Sequence, residues 1–175
     1  LEIRNTQIKL NNLPESLKRL KIIDVDMSLD NLPNNLLYLE ISGIFNKTLD
    51  NLPQNLDTLI IHSDINCSLD NLPFGLKKLL IYSDCNNLLN ILVESLELFI
   101  YNKKLVNKLN FPVNLKVLGL NQLDKNLLNK VEQTHKNIIT FSSNKYHVDL
   151  KFFNDDDKFQ PLFFSHNKNN ESLYT

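Results

Sequence analysis

SLDNLPNNLLYLEIS (residues 28–42), TLDNLPQNLDTLIIH (48–62) and SLDNLPFGLKKLLIY (68–82) align without gaps at a period of 20 residues. Weaker copies flank them: NNLPESLKRLKII from Asn11, NILVESLELFIYN from Asn90 and NFPVNLKVLGLNQ from Asn110. Prolines 14, 33, 53, 73 and 112 share one phase, Val93 fills the missing slot, and only Pro161 is out of phase. Leu17, Leu36, Leu56, Leu76, Leu96 and Leu115 recur three residues later. Leu20, Leu39, Leu59, Leu79, Phe99 and Leu118 follow after three more, then Ile22, Ile41, Ile61, Ile81, Tyr101 and Leu120 after another two.

The end of each copy alternates with period 2, as a short strand does. A unit of about 20 residues cannot close a core alone, but stacked copies line their strands into a parallel sheet and bury leucines between coils. Proline fixes φ and lacks an N–H, so the Leu-Pro pair suits a tight turn and resists a long helix. Asn12, Asn31, Asn51, Asn71 and Asn110 stand directly before the Leu-Pro position, with Ile91 as the exception. An asparagine in every coil is expected to bond the backbone of its own and the next coil.

Leu-x-x-Leu-x-Leu resembles the leucine-rich repeat. Phe45-Asn46, then Leu49, Leu52-Pro53, Leu56 and Leu59, is similar to the FNIP repeat of slime-mould and giant-virus proteins. The next copy carries Ile65-Asn66 instead of Phe-Asn. The usual leucine-rich-repeat asparagine after the strand is replaced by Val25, Ile44, Asp64, Asp84, Lys104 and Leu123. The fold expected is therefore an α/β leucine-rich-repeat solenoid of short coils, with a parallel β-sheet on the concave face and turns or short helical turns on the convex face. The resemblance implies protein–protein binding, often beside an F-box, and hence a substrate receptor of a ubiquitin-ligase adaptor.

The solenoid is expected over residues 1–141, closed by a helix–strand final repeat. Asp124 reads as a helix N-cap, Leu127, Val131, Thr134/His135 and Ile138 keep helical spacing, and Ile138 to Phe141 reads as a last strand. Residues 142–165 lose the period but hold Phe152, Phe153, Phe159, Phe163 and Phe164 around Asp155-Asp156-Asp157. Five phenylalanines are too many for a solvated tail, so a capping segment is expected there. Residues 166–175 read as a disordered end.

The chain of 175 residues carries 19 Lys+Arg against 20 Asp+Glu, a net charge of −1, which disfavours a phosphate-backbone binder. Its 3 glycines are too far apart for a phosphate loop. Thirty-five leucines and 27 asparagines without one alanine suggest the codon bias of an AT-rich genome. No apolar run approaches the ~18 residues of a membrane span. Cys67 and Cys85 form no Cys-x-x-Cys and read as free thiols in a reducing compartment. His62, His135, His147 and His166 form no zinc motif, and no serine sits in a nucleophile elbow. A non-enzymatic, intracellular, cytoplasmic protein without a cofactor is the expectation, its oligomeric state open.

If Leu39, Leu59, Leu79 and Phe99 point inward, the residues between them face out. Ile60, Leu80 and Ile100 then form an apolar centre, with Tyr38, Glu40, His62, Tyr82 and Asn102 around it. Such a patch on an open sheet marks contact with another molecule. The candidate partner-binding face is thus Tyr38, Glu40, Ile60, His62, Leu80, Tyr82, Ile100 and Asn102, for an unidentified protein. Cover by the phenylalanine-rich segment is the competing reading. A packing unit of a viral particle or other large assembly is the alternative function.

Overall fold

The computed structural model describes residues 1–4, 10–25, 27–64, 68–82, 92–101, 110–120, 125–135, 138–142, 146–148 and 163–165. Eight parallel strands form one sheet in chain order. They are β1 (Glu2–Arg4), β2 (Arg19–Ile23), β3 (Tyr38–Ser42), β4 (Thr58–Ile61), β5 (Lys78–Ile81), β6 (Leu98–Tyr101), β7 (Val117–Leu120) and β8 (Ile139–Ser142). Partners one strand apart include Arg19 with Tyr38, Tyr38 with Thr58, Thr58 with Lys78, Lys78 with Leu98 and Leu98 with Val117. Each strand is therefore the same rung of successive coils of about 20 residues. The molecule is a parallel-strand β-solenoid with little helix.

Leu39 pairs with Leu59 and Leu59 with Leu79, so the inward column stacks rung on rung. Leu20, Leu39, Leu59, Leu79, Phe99 and Leu118 are all without solvent contact. Ile22, Ile41, Ile61, Ile81, Tyr101 and Leu120 form the second buried column of the same core. The Phe99 and Tyr101 rings stack with centroids 6.2 Å apart, filling it where leucine gives way to larger side chains.

The Leu-Pro signal resolves into a hydrogen-bonded turn. Each Pro carbonyl accepts the N–H of the leucine three residues on: Pro14 with Leu17 at 2.9 Å, and Pro33 with Leu36, Pro53 with Leu56, Pro73 with Leu76 and Pro112 with Leu115 at 3.0 Å. Val93, which lacks the fixed φ of proline, makes the longest of these bonds, 3.2 Å to Leu96. Proline leads the turn and accepts, so its missing N–H costs nothing. The carbonyls of Lys18, Leu37, Asp57, Lys77 and Glu97 then each take two successive N–H groups from the next coil, starting the next strand.

The asparagine column differs from expectation in its partner. Asn51 Nδ2 donates to Asp30 Oδ1 at 2.7 Å and Asn71 Nδ2 to Asp50 Oδ1 at 2.9 Å. At Asn51 and Asn71 the column bridges coils through side-chain carboxylates on an exposed surface. A separate column bonds the backbone: Asn55 Nδ2 to the Asn34 carbonyl, Ser95 Oγ to that of Leu76 and Asn114 Nδ2 to that of Glu94. Ionised aspartate is the stronger acceptor, which explains why it takes the first column.

The helix α1 (Lys125–Thr134) lies in the last coil before β8. Val131 is buried and Leu127 half-buried against the core, as their spacing predicts. His135, also buried, brings Nε2 to 2.8 Å from the Pro112 carbonyl and ties the end of the helix to the preceding coil's turn. Asp124, the expected N-cap, lies outside the described residues. Beyond β8, β9 (Tyr146–Val148) and β10 (Phe163–Ser165) pair antiparallel as a separate two-stranded sheet. Cys67, Cys85 and residues 166–175 are outside the described residues.

Candidate functional site

Alternation along the strands puts one set of side chains on the face of the sheet away from the core. Register aligns Lys21, Glu40, Ile60, Leu80, Ile100 and Gly119 in one row across that face, and Arg19, Tyr38, Thr58, Lys78, Leu98 and Val117 in the row before it. Beyond the strand ends, the His62 N–H donates to Ile41 O at 2.8 Å and the Tyr82 N–H to Ile61 O at 2.9 Å. These bonds carry His62 and Tyr82 into a third row.

The face has two halves. Over β4 to β7, Ile60 (6% exposed), Leu80 (1%), Leu98 (0%), Ile100 (1%) and Val117 (0%) form a second buried apolar cluster, distinct from the core. The sequence places Ile60, Leu80 and Ile100 on the correct face, but the expected exposure is corrected: they are buried. Leu98 and Val117, which sequence reasoning missed, belong with them. Their signal was available in the register, two residues before Ile100 and Gly119. Asn102 lies outside the described residues.

Over β2 to β4 the face is polar and partly open. Glu40 is its centre. Lys21 Nζ approaches Glu40 Oε1 at 2.7 Å and Tyr38 Oη donates to Oε2 at 2.8 Å. His62 Nε2 stands 3.7 Å from Oε1, and its ring stacks on Tyr82 with centroids 5.0 Å apart and planes 7° from parallel. Arg19, also missed, holds its guanidinium 4.0 Å from the Tyr38 ring centroid, a cation–π contact. Tyr38 and Tyr82 pack against the apolar cluster, so the two halves join through aromatic rings.

Burial opposes ionisation of Glu40, yet the bonds from Lys21 and Tyr38, with the charges of Lys21 and His62, outweigh it and hold the carboxyl below its usual range. Burial lowers the His62 pKa, with Lys21 adding to the effect and Glu40 opposing it. The imidazole is therefore neutral at pH 7, and its approach to Glu40 becomes an ion pair only in acid. Burial pushes Tyr82 up to about 12. Burial, and then the bond to Glu40, also raises Tyr38. Both phenols stay protonated, as hydrogen-bond donors and ring surfaces.

Such an arrangement offers ring surfaces, charge and hydrogen-bonding groups. Among the described residues, no group of three His, Cys, Asp or Glu is placed to hold a metal ion. No helix among them is long and apolar enough to cross a membrane.

Fold and face together define a repeat β-solenoid with a charged, aromatic patch on its strand face. Compared with family models, curated proteins and solved structures, the chain finds no match in any of the three.

Proposed function

We propose that this chain is a non-enzymatic protein-interaction module of the leucine-rich-repeat type, close to FNIP repeats, which binds a protein through the polar half of its strand face. The observation that carries this reading is the Arg19–Tyr38–Glu40–His62–Tyr82 cluster. Three aromatic rings and three charged groups including Lys21 sit together on a rigid sheet, with Glu40 fixed by several partners. Interface hot spots favour tyrosine and arginine, because large rigid rings and a planar cation give contact area with little entropy to lose. A role as substrate receptor of a ubiquitin-ligase adaptor is the extension that the repeat resemblance suggests.

The test is capture of a partner by wild-type chain and by Glu40→Arg, Tyr82→Ser and Arg19→Ala variants, with Asp70→Asn as a control away from this face. A protein held by wild type and by the control but lost from all three face variants, each still folded by circular dichroism at the temperature of the assay, supports the reading. Equal capture by all five chains puts the interface elsewhere.

A further inference from the structure

We propose, resting on the reading of the polar half as a protein-binding face, that this half takes an acidic segment of its partner, with one carboxylate bridging Lys18 and Arg19 beside Leu37. Most of the charge there is already neutralised in place. Arg4 pairs with Glu2, and Lys21 with Glu40 at 2.7 Å. Lys18 and Arg19 are both exposed. Among the described residues neither has a carboxylate within 4.0 Å, and the Arg19 guanidinium rests on Tyr38 instead.

A later coil shows how such a cation pair is satisfied. Lys77 and Lys78 hold the same two places, before and at the start of β5, that Lys18 and Arg19 hold at β2. Asp57, from the neighbouring coil, serves both: Oδ1 lies 3.7 Å from Lys77 Nζ and Oδ2 3.7 Å from Lys78 Nζ. Glu97 likewise meets Lys116 Nζ at 2.6 Å just before β7. Around Lys18 and Arg19, neither neighbouring rung offers an acid at this place. β1 pairs with β2 from Glu2 opposite Lys21 onward, and the next coil brings Leu37 and Tyr38. The cation pair at β2 is thus built like the one at β5, and its carboxylate has to come from another molecule.

An exposed ion pair between two mobile side chains contributes little, because ordering both costs entropy. Arg19 lowers that cost. Its guanidinium is held 4.0 Å from the Tyr38 ring centroid, and Tyr38 is itself fixed by donating to Glu40 Oε2 at 2.8 Å. A planar cation stacked on a ring keeps its donor edges for bidentate pairing with a carboxylate. Leu37 lies beside the pair, 42% exposed, with its N–H bonded to the Lys18 carbonyl at 3.0 Å. An apolar side chain next to two unpaired cations suits a peptide with both acidic and aliphatic residues. It suits a phosphate backbone less, and the net charge of −1 disfavours that too.

Nitrogen-15 NMR of the 175-residue chain tests this with two peptides, acetyl-Leu-Glu-Glu-Leu-Glu-Glu-amide and the same sequence with Gln for Glu. The acidic peptide should shift the Arg19 Nε–H and the Leu37 and Tyr38 N–H signals to saturation, and the Gln peptide should not. Raising salt from about 50 to about 500 mM should weaken binding at least tenfold. Lys18→Ala with Arg19→Ala should do the same. Lys77→Ala with Lys78→Ala removes the pair that Asp57 already serves, and should change the affinity less than twofold. Lys18→Glu alone leaves the Tyr38 contact in place and should cost at least threefold; each spectrum also reports whether its variant is folded. Equal shifts from the Gln peptide, unchanged affinity in the Lys18 and Arg19 variants, no saturation at about 5 mM acidic peptide, or tighter binding of a short oligothymidylate overturns the proposal. Such a failure leaves the wider interface standing where a captured protein is still lost from Glu40→Arg and Tyr82→Ser. Saturable binding of the acidic peptide, with capture unaffected by those two variants, keeps the acid site and removes the wider interface.

Discussion

Gly43 closes the turn after β3 against Asp24 of the coil before, and both take left-handed backbone, φ 76° and 53°. The Asp24 N–H donates to Ser42 O at 3.0 Å, and Asp24 Oδ1 accepts the Ile44 N–H at 3.1 Å. The carboxylate thus occupies the space a side chain on Gly43 would fill: a Cβ there would overlap Asp24 Oδ1. Aspartate tolerates this conformation better than most residues, but beside it only glycine fits.

Gly43→Ala should therefore cost about 1–3 kcal/mol, from positive φ and from displacing the carboxylate. Asp24→Gly in the same chain should recover the second part and leave the first. A urea double-mutant cycle measures that coupling. An unchanged midpoint in Gly43→Ala would contradict the turn geometry.

Leu80 and Leu59 give the second prediction. They lie on opposite faces of adjacent strands, yet both are buried. Leu80→Ala should cost about 2–5 kcal/mol, the range for a filled interior, and match Leu59→Ala. A loss below about 1 kcal/mol at position 80 alone would mean that the outer cluster is open in solution.

How much of this was legible in the sequence follows from what a period encodes. Leucines at a fixed phase determine which rung stacks on which, so Leu39, Leu59 and Leu79 could be aligned from the letters. Alternation also assigns Ile60 and Leu80 to the outer face. It says nothing of how deeply that face is buried, because burial depends on how the coils pack in three dimensions. The Glu40 cluster was legible only in part. Tyr38, His62 and Tyr82 stand out as aromatic, whereas Arg19 joins by a stacking contact that needs coordinates. For the asparagine column, the phase disclosed a bridge between coils, but Asp30 and Asp50 became its partners through side-chain geometry.

Gly75 interrupts the column in which Asn55, Ser95 and Asn114 bond a carbonyl of the preceding coil. A Cβ on Gly75 would stand 3.2 Å from the Gln54 carbonyl oxygen, tight but in a backbone of ordinary φ. Asn55 and Asn114 already carry side chains at this position of their coils. Gly75→Asn should therefore bring its Nδ2 to Gln54 O and stabilise the chain by about 0.5–1.5 kcal/mol, helped by a less flexible unfolded state. Thermal melting is the measurement. A lower melting temperature would mean that the Phe74–Gly75 turn cannot give way as its counterparts do.

Acid should weaken the polar half of the face in two steps. The His62 pKa lies below its ordinary 6.5, so the unfolded chain takes up that proton first. Stability from this group is fully present above about pH 6.5 and is lost as pH falls through the folded value. Glu40 also lies below its ordinary 4.5, so its contribution is present above that pH and is lost as pH falls through its own lower value. Tyr82 stays protonated throughout this range and adds no step. Denaturant midpoints from pH 8 to pH 3 should fall less steeply below pH 6.5 in His62→Gln than in wild type, and less steeply below pH 4.5 in Glu40→Gln. The histidines and carboxylates outside this cluster are common to all three chains, whereas His62 and Glu40 shift each other, so each variant is read only in the window of the group it removes. Identical slopes for wild type and His62→Gln between pH 6.5 and pH 5 would show that the imidazole titrates as freely folded as unfolded, and that packing against the Tyr82 ring does not disfavour its charged form.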